Sequence, residues 1–483
     1  MPRARIPFGN MQESGWEELS GASPAAINVI VDGKGAVRRR PCIQSLGTIS
    51  TTAVDSDPVV ALHTTAEGDT ISFHATLPGP LGIYRVTTGG GTSLISSTVY
   101  PSSYRPIVAE TEAILAIAND VAPLKLDLSS FALSRIGDNP PRSTHVVAHG
   151  SRLLMNNLDA VTQVHYSGIA SGGSYLGHEQ WTEGAETYGL SGQFQVDARP
   201  DDVVAVGTTT NEVFAFGATN VQIFGSDERL IYVPTATRDF GCIAPFAVIA
   251  ADNEFAWIDD RRRIVLSDGR SFTVISDPIK QTLDDMTSVS DAFGYRVLMG
   301  AAEVLVFTFP TDGRTFAYQK GGGWSEWQGW SSTTNNWQQF RVTAHSRNPL
   351  TNVEWVGLSD GKIAKLSSSA NDDLGDVVPA SVTTGYIGHD TDSRKHCASL
   401  TLVLKRGTTS DTTAPLGSIS WRDDGGQWTA PIQVDFGASG DTSAVVQLRS
   451  LGVYRRRQWK FSFHGSGEYV LASAEEEFTV LGA

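Results

Sequence analysis

The chain has 483 residues, 40% hydrophobic and 18% charged, a balance that suits a folded globular protein and excludes general disorder. Its formal charge of −15 argues against nucleic-acid binding as the main affinity, although an acidic wall retains no DNA and so lets it pass. Forty-eight glycines and 21 prolines among abundant Val, Ile, Thr and Phe predict many short strands joined by tight turns.

The opening "MPRARIPFGNMQESGWEEL" carries two arginines but no apolar stretch, so it does not read as a signal peptide. No window approaches eighteen uninterrupted apolar residues, which excludes a transmembrane helix. Cys42, Cys242 and Cys397 are odd in number and far apart, predicting no disulfide framework and folding in a reducing cytoplasm.

Seven candidate hairpins follow in order, turning near Pro80, Asp120, Asn157, Asn220, Asp268, Asp312 and Asp360. The last three are Asp-Gly turns, in which Gly takes positive φ without strain and Asp tolerates the left-handed region. They lie 44 and 48 residues apart, the length of one four-stranded propeller blade. The earlier gaps, 40, 37, 63 and 48 residues, are less even and keep two stacked sandwiches open as a competing architecture. One short helix is expected in "SDPIKQTLDDM", with Asp277 as cap, Pro278 at the first helical position, and Ile279, Leu283 and Met286 on one face.

The polar run "SSSANDDLGDVVP" after Ser367 marks the best domain boundary. Beyond it, seven strand-like runs in about 105 residues suit a compact β-sandwich. The expected fold is therefore all-β: an N-terminal arm with first strands (1–56), a β-propeller of six or seven blades (57–368), and a small C-terminal β-sandwich (369–483).

Several patterns suggest chemistry, and each has a plainer reading. "SDGK" at 359–362 matches a serine-nucleophile spacing but sits in a hairpin turn, where Lys362 is a solvated residue. "WRDDGGQW" resembles an Asp-box turn with Trp421 where Ser or Thr is expected, and even a perfect Asp box is only a hairpin. "HDTDSRKH" gathers His389, Asp390, Asp392 and His396, yet no spacing fits a zinc or EF-hand site and Arg394 and Lys395 repel a cation, so a solvated loop is preferred. Arg261–Arg263 read as a blade rim paired locally with Asp259 and Asp260. Trp324, Trp327, Trp330 and Trp337 offer a platform for sugar rings, but packing or an interface is the preferred reading, and no carboxylate pair announces a glycosidase. No motif asks for a metal or a cofactor, and no catalytic residue is assigned.

In "LRSLGVYRRRQWKFSF", Trp459, Phe461 and Phe463 alternate toward a core while Arg455, Arg456 and Arg457 fall where the strand leaves the Gly452 turn. One reading is an edge strand blunted by cations. The other is a basic rim that docks on an acidic neighbour, including another copy of this chain. Arg455, Arg456, Arg457, Trp324, Trp327 and Trp330 are accordingly the candidate subunit or partner contacts.

Three ordered segments then show a resemblance. "AAINVIVDGKGAVRRRPCIQSLG" supplies an Asn, a short strand, a Gly-rich turn and an Arg-x-x-Pro element, with Cys42 where Gly is usual. The run from "ATNVQIFGSDERL" to "VISDPIK" carries Gly241-Cys242, an Asp-Asn before an apolar-Trp strand, and the Ile-Ser-x-Pro-Ile helix start. "LGVYRRRQWKFSF" with "YVLASAEEEF" forms the ending. In this order they resemble the tail-hub, or nozzle, proteins of short-tailed bacteriophages, the packaged-DNA stabilisation family. The resemblance implies a β-propeller without catalytic residues, a virion tail component made in the host cytoplasm. It implies a homo-oligomeric ring, sixfold by resemblance, that closes the DNA exit channel below a head–tail adaptor. Its partners would be copies of itself, that adaptor, and tail needle, fibre or spike proteins, with non-specific passage of DNA. The residues lining that lumen stay unassigned. The alternative is a carbohydrate-binding or glycan-hydrolysing propeller, resting on the tryptophan cluster and the near Asp box.

Overall fold

A computed structural model describes residues 2–8, 25–32, 35–46, 57–74, 82–87, 92–96, 105–170, 175–199, 201–226, 232–300, 302–370, 372–406, 417–438, 443–463 and 469–482. Strands dominate it. Six four-stranded sheets stand by themselves, and a seventh set of four strands begins a nine-stranded sheet. Each set starts with one inner strand: Val59–Thr64, Ile107–Glu110, Val146–His149, Val203–Thr208, Ile249–Ala251, Phe293–Met299 and Val342–Arg347. We number the blades 1 to 7 by these inner strands.

The ring follows from how the strands are buried. A β-strand points alternate side chains to opposite faces, and a blade has a neighbour on both. The second strands are therefore buried along most or all of their length, as in Ile114–Ala118, Arg152–Asn156 and Glu354–Leu358, whose few polar members are Arg152, Asn156 and Glu354. Separate apolar cores form between successive blades. Ile71 and Phe73 of blade 1 meet Leu115 and Ile117 of blade 2, and Val59 and Leu62 of blade 1 meet Ala344 and Trp355 of blade 7. That last contact closes the circle.

The seven hairpins read from the sequence fall one to a blade. Those at Asp120, Asn157, Asn220, Asp312 and Asp360 join the second and third strands of blades 2, 3, 4, 6 and 7. The turn at Pro80 lies outside the described residues, but its flanking strands Thr70–His74 and Gly82–Val86 pair antiparallel as expected. Asp268 instead joins the third and fourth strands of blade 5, whose earlier turn is the Asp259–Arg263 stretch. The 63-residue gap arises in blade 3, where the chain runs through a short helical turn at Leu176–Glu179 before its fourth strand, Gly192–Gln195. The propeller is the correct architecture, and stacked sandwiches are not.

Blade 7 takes its fourth strand from far away. Cys42–Ser45 pairs antiparallel with Ile363–Ser367. A clasp holds this joint. The Arg40 guanidinium meets Asp373 at 2.6 Å and 3.3 Å and also donates to Asn28 Oδ1 and to the carbonyls of Pro41 and Gln328. The same Asp373 accepts the Ile43 backbone N–H at 2.7 Å. Asn28, in the left-handed region with φ 54°, also receives the Gln328 N–H.

Beyond the propeller, two sheets pack face to face. Ala380–Thr383, Arg457–Phe463, Gly417–Asp423 and Ile432–Val434 belong to the nine-stranded sheet, which Ala25–Ile27 bridges to the Trp324–Glu326 strand of blade 6. The facing sheet is built on the twelve-residue strands Lys395–Arg406 and Tyr469–Val480, with Val29–Val31 and Val37–Arg39 along one side. One apolar core runs from Ile258 and Phe307 of the propeller to Leu402 and Phe461 of the sandwich. Ile279, Leu283 and Met286 of the expected helix join it. That helix is Lys280–Asp285, preceded by a 3-10 turn at Asp277–Ile279. No side-chain cap comes from Asp277; the Arg262 guanidinium instead covers the carbonyls of Asp284 and Met286 at the helix end.

Gly241 shows why the middle segment reads as it does. A Cβ there would lie 2.1 Å from the Ala218 carbonyl oxygen, and the Gly241 carbonyl accepts the Trp257 indole N–H at 3.0 Å. Among the described residues, no helix is long and apolar enough to cross a membrane.

Candidate functional site

The inner strands of all seven blades surround a central cavity of about 410 Å³. Its walls are mainly Val, Ile, Ala and Phe, and its polar side chains are Arg105, His145, Thr208, Tyr295 and His345. Arg105 reaches across the junction of blades 1 and 7, donating to the carbonyls of Val60 and Thr343 with its guanidinium 3.9 Å from the Phe293 ring centre. Burial lowers its pKa to about 10, which leaves it charged at neutral pH. His145 stacks on Phe246 and contacts the Pro245 carbonyl, and burial depresses its pKa to about 4. His345 stacks on Tyr295 and engages Glu354 at 2.7 Å. This cavity was not read from the sequence. Which side of a strand faces a channel depends on ring closure, and no local pattern encodes it.

The buried histidines give a definite pH dependence. Burial depresses His74 and His145 to about 4 and also lowers His149, His165 and His178. The unfolded chain therefore binds more protons than the folded one between about pH 6.5 and 4. The stability these groups contribute is fully present above pH 6.5 and is lost as pH falls toward 4. Each of His74 and His145 should remove about 1.4 kcal/mol per pH unit within the window. Urea midpoints measured from pH 7 to 4 should fall steeply, and His145→Asn should flatten the slope.

The candidate contacts separate into buried and exposed groups. Trp324 and Trp327 are 1% and 0% exposed. Trp324 packs against Phe307 and Tyr318 and donates to the Ile275 carbonyl, and Trp327 meets Phe340 edge-on. Both are core residues, so they are corrected as contact candidates. Trp330 is half-buried on the hairpin Gln328–Ser331/Asn336–Gln339, edge-on to the exposed Trp337 at 5.1 Å. Four tryptophans in one short run thus make no common platform.

Arg457 is likewise corrected. It is 0% exposed, pairs with Asp423 at 2.6 Å and 2.8 Å, donates to the Leu451 carbonyl, and lies against Tyr454, Trp459 and Trp421. Nor is its strand an edge, since Arg457–Phe463 pairs with both Ala380–Thr383 and Gly417–Asp423. Cations are not needed there to block aggregation. Arg455 is exposed and Arg456 half-buried. Asp392 takes up part of their charge, accepting Arg456 at 3.1 Å, while Arg455 donates to its backbone carbonyl. Asp424 accepts the backbone N–H groups of both.

The His389 stretch is not a solvated loop throughout. The His389 side chain is 7% exposed, stacks on Phe478 and contacts Tyr454 and Glu476 at 3.1 Å and 3.4 Å. Burial pushes the Glu476 pKa up, but hydrogen bonds from His389, Tyr454 and Cys397 outweigh it and hold the group below its ordinary value. Among the described residues, no three His, Cys, Asp or Glu side chains are placed to hold a metal ion.

Residues 157–370 match the family model described as Phage_stabilise, Bacteriophage P22 Gp10, beta-propeller. Over these residues the chain is similar to the propeller of that phage family. The match begins at the second hairpin turn of blade 3 and runs to the end of the third strand of blade 7. No curated protein matches the sequence. Among solved structures, the N-terminal domain of Nup159 aligns at 10% identity and TM-score 0.40, covering 68% of this chain and 94% of that one. BamB from Moraxella catarrhalis aligns at 9% identity and TM-score 0.37, covering 64% and 94%. Neither score supports a functional comparison. Gly241 with its Trp257 partner and the Pro278 helix start fall inside the matched segment, whereas blades 1 and 2 and the Cys42–Ser45 strand of blade 7 lie outside it.

Proposed function

We propose that this chain is a structural subunit of a phage tail hub, forming with its copies a ring that extends and closes the DNA exit channel below the head–tail adaptor. The supporting observation is the family match across blades 3 to 7. A structural role also suits the way propeller and sandwich share one core and one continuous sheet, which makes a stiff building block. Catalysis plays no part in this reading. The net charge of −15 favours sliding over capture of DNA. Ring contacts would draw on the surface arginines Arg455 and Arg456 and on the Trp330–Trp337 hairpin. The carbohydrate reading loses its main support with Trp324 and Trp327 in the core.

Mass photometry of the chain alone and mixed with the adaptor protein of the same phage tests the proposal. A discrete ring in the mixture supports it. A monomer indifferent to the adaptor, with sharp hits on a glycan array, overturns it. Arg455→Glu with Arg456→Glu should abolish ring assembly while changing stability by about 1 kcal/mol or less, as expected for exposed pairs.

A further inference from the structure

The propeller cavity has an unusual balance of charge for so acidic a protein. Of the residues lining it, Arg105 is the one arginine or lysine, and no Asp or Glu lines the wall. His345 engages Glu354 at 2.7 Å, and Arg347 lies 3.6 Å from the same carboxylate, so this acid is already occupied. Arg105 makes no ion pair among the described residues. Its Nη1 serves the Val60 and Thr343 carbonyls, and its Nε and Nη2 have no protein partner there. A half-buried guanidinium without a counter-charge loses part of its hydration at a cost, and its Nε–Nη2 edge, free among the described residues, matches the two oxygens of a carboxylate.

The rest of the cavity limits what can accompany that carboxylate. Both ring nitrogens of His145 are engaged, by Thr144 and the Pro245 carbonyl, and the Thr208 hydroxyl donates to Ala148. The Tyr295 hydroxyl is buried without a hydrogen-bond partner among the described residues, and the rest of the wall is largely apolar, with Phe246, Phe255 and Phe293 among its side chains. At about 410 Å³ the space suits a small molecule and is far too small for a nucleic-acid strand to thread.

We propose that the propeller cavity binds a small organic carboxylate, its oxygens on the Nε–Nη2 edge of Arg105 and its apolar body against the phenylalanine and valine walls. The site is independent of ring assembly, since it lies within one subunit. Thermal unfolding of the full chain in sodium benzoate, sodium phosphate and sodium chloride at equal ionic strength tests it. Benzoate should raise the melting temperature saturably and phosphate less so. Arg105→Lys, which keeps the charge but loses the fork, should weaken the benzoate effect at least about tenfold. Equal shifts with all three salts, or a benzoate effect unchanged in Arg105→Lys, would overturn the proposal. Should that variant fail to fold, wild-type crystals soaked in 4-bromobenzoate decide the matter. An anomalous bromine peak in the cavity supports the site, and its absence there refutes it.

Discussion

Asp373→Ala should destabilise the protein by about 3–5 kcal/mol, the largest loss expected from any single carboxylate here. Asp373 is 5% exposed and holds both the Arg40 guanidinium and the Ile43 backbone N–H. Removing it leaves Arg40, 1% exposed, charged and without its counter-ion. It also frees the N–H that anchors Cys42–Ser45 at the outer edge of blade 7. Equilibrium unfolding in urea measures the loss. Adding Arg40→Met should restore part of it, because the stranded charge goes and an apolar side chain replaces it beside Phe340. A loss below about 1 kcal/mol for Asp373→Ala would show that the clasp does not hold the ring closed.

Asp423→Ala should cost about 2–4 kcal/mol. Here too a buried arginine loses its counter-ion, but the Asp423 side chain is 29% exposed and water can partly solvate the abandoned Arg457. Arg457 itself has nowhere to go. Tyr454, Trp459 and Trp421 enclose it, and its Nη1 already lacks a partner among the described residues. Tryptophan fluorescence should therefore change along with the urea midpoint. Arg455→Ala, one turn residue away but exposed, should shift the midpoint by less than about 0.5 kcal/mol. Equal effects at Asp423 and Arg455 would mean that burial does not separate these arginines.

The contrast among those three arginines shows what the sequence could and could not reveal. Alternation placed Trp459, Phe461 and Phe463 in a core correctly, because pleating imposes period two on any strand. Carried back two residues, the same alternation puts Arg457 on that inward face; what it could not supply is the partner, the acid Asp423, 34 positions earlier and on another strand. Blade hairpins were legible because tight turns need Gly, Asn and Asp locally. The uneven gaps then had local causes, a long excursion in blade 3 and one hairpin counted late in blade 5. The tryptophan run misled for the opposite reason. Adjacent positions look like one patch in a sequence, yet Trp324 enters the core between propeller and sandwich while Trp330 sits on a separate hairpin. The cavity left no trace at all, being made by seven strands none of which carries it alone.

The N-terminal segments that resembled a family opening turned out to be joints. Asn28 binds both Arg40 and the Gln328 N–H, and Ala25–Ile27 sits between blade 6 and the sandwich. Short motifs far from any chemistry can thus be set by the geometry of chain crossings.

The long reach of Cys42–Ser45 bears on how the protein is made. Its partner strand ends at Ser367, so at 5–20 residues per second a ribosome needs roughly 15–65 s to deliver the complement after this strand has emerged. Arg3–Arg5 waits longer still, for Glu475–Glu477 near the end of the chain. Throughout that interval the nascent chain carries unmatched strand edges and half of two unfinished sheets, a hazard for association among chains on the same message. Blades 2 to 5 have no such debt to the future, each being complete within one uninterrupted stretch of sequence. Folding should therefore start in the middle and finish at both ends together.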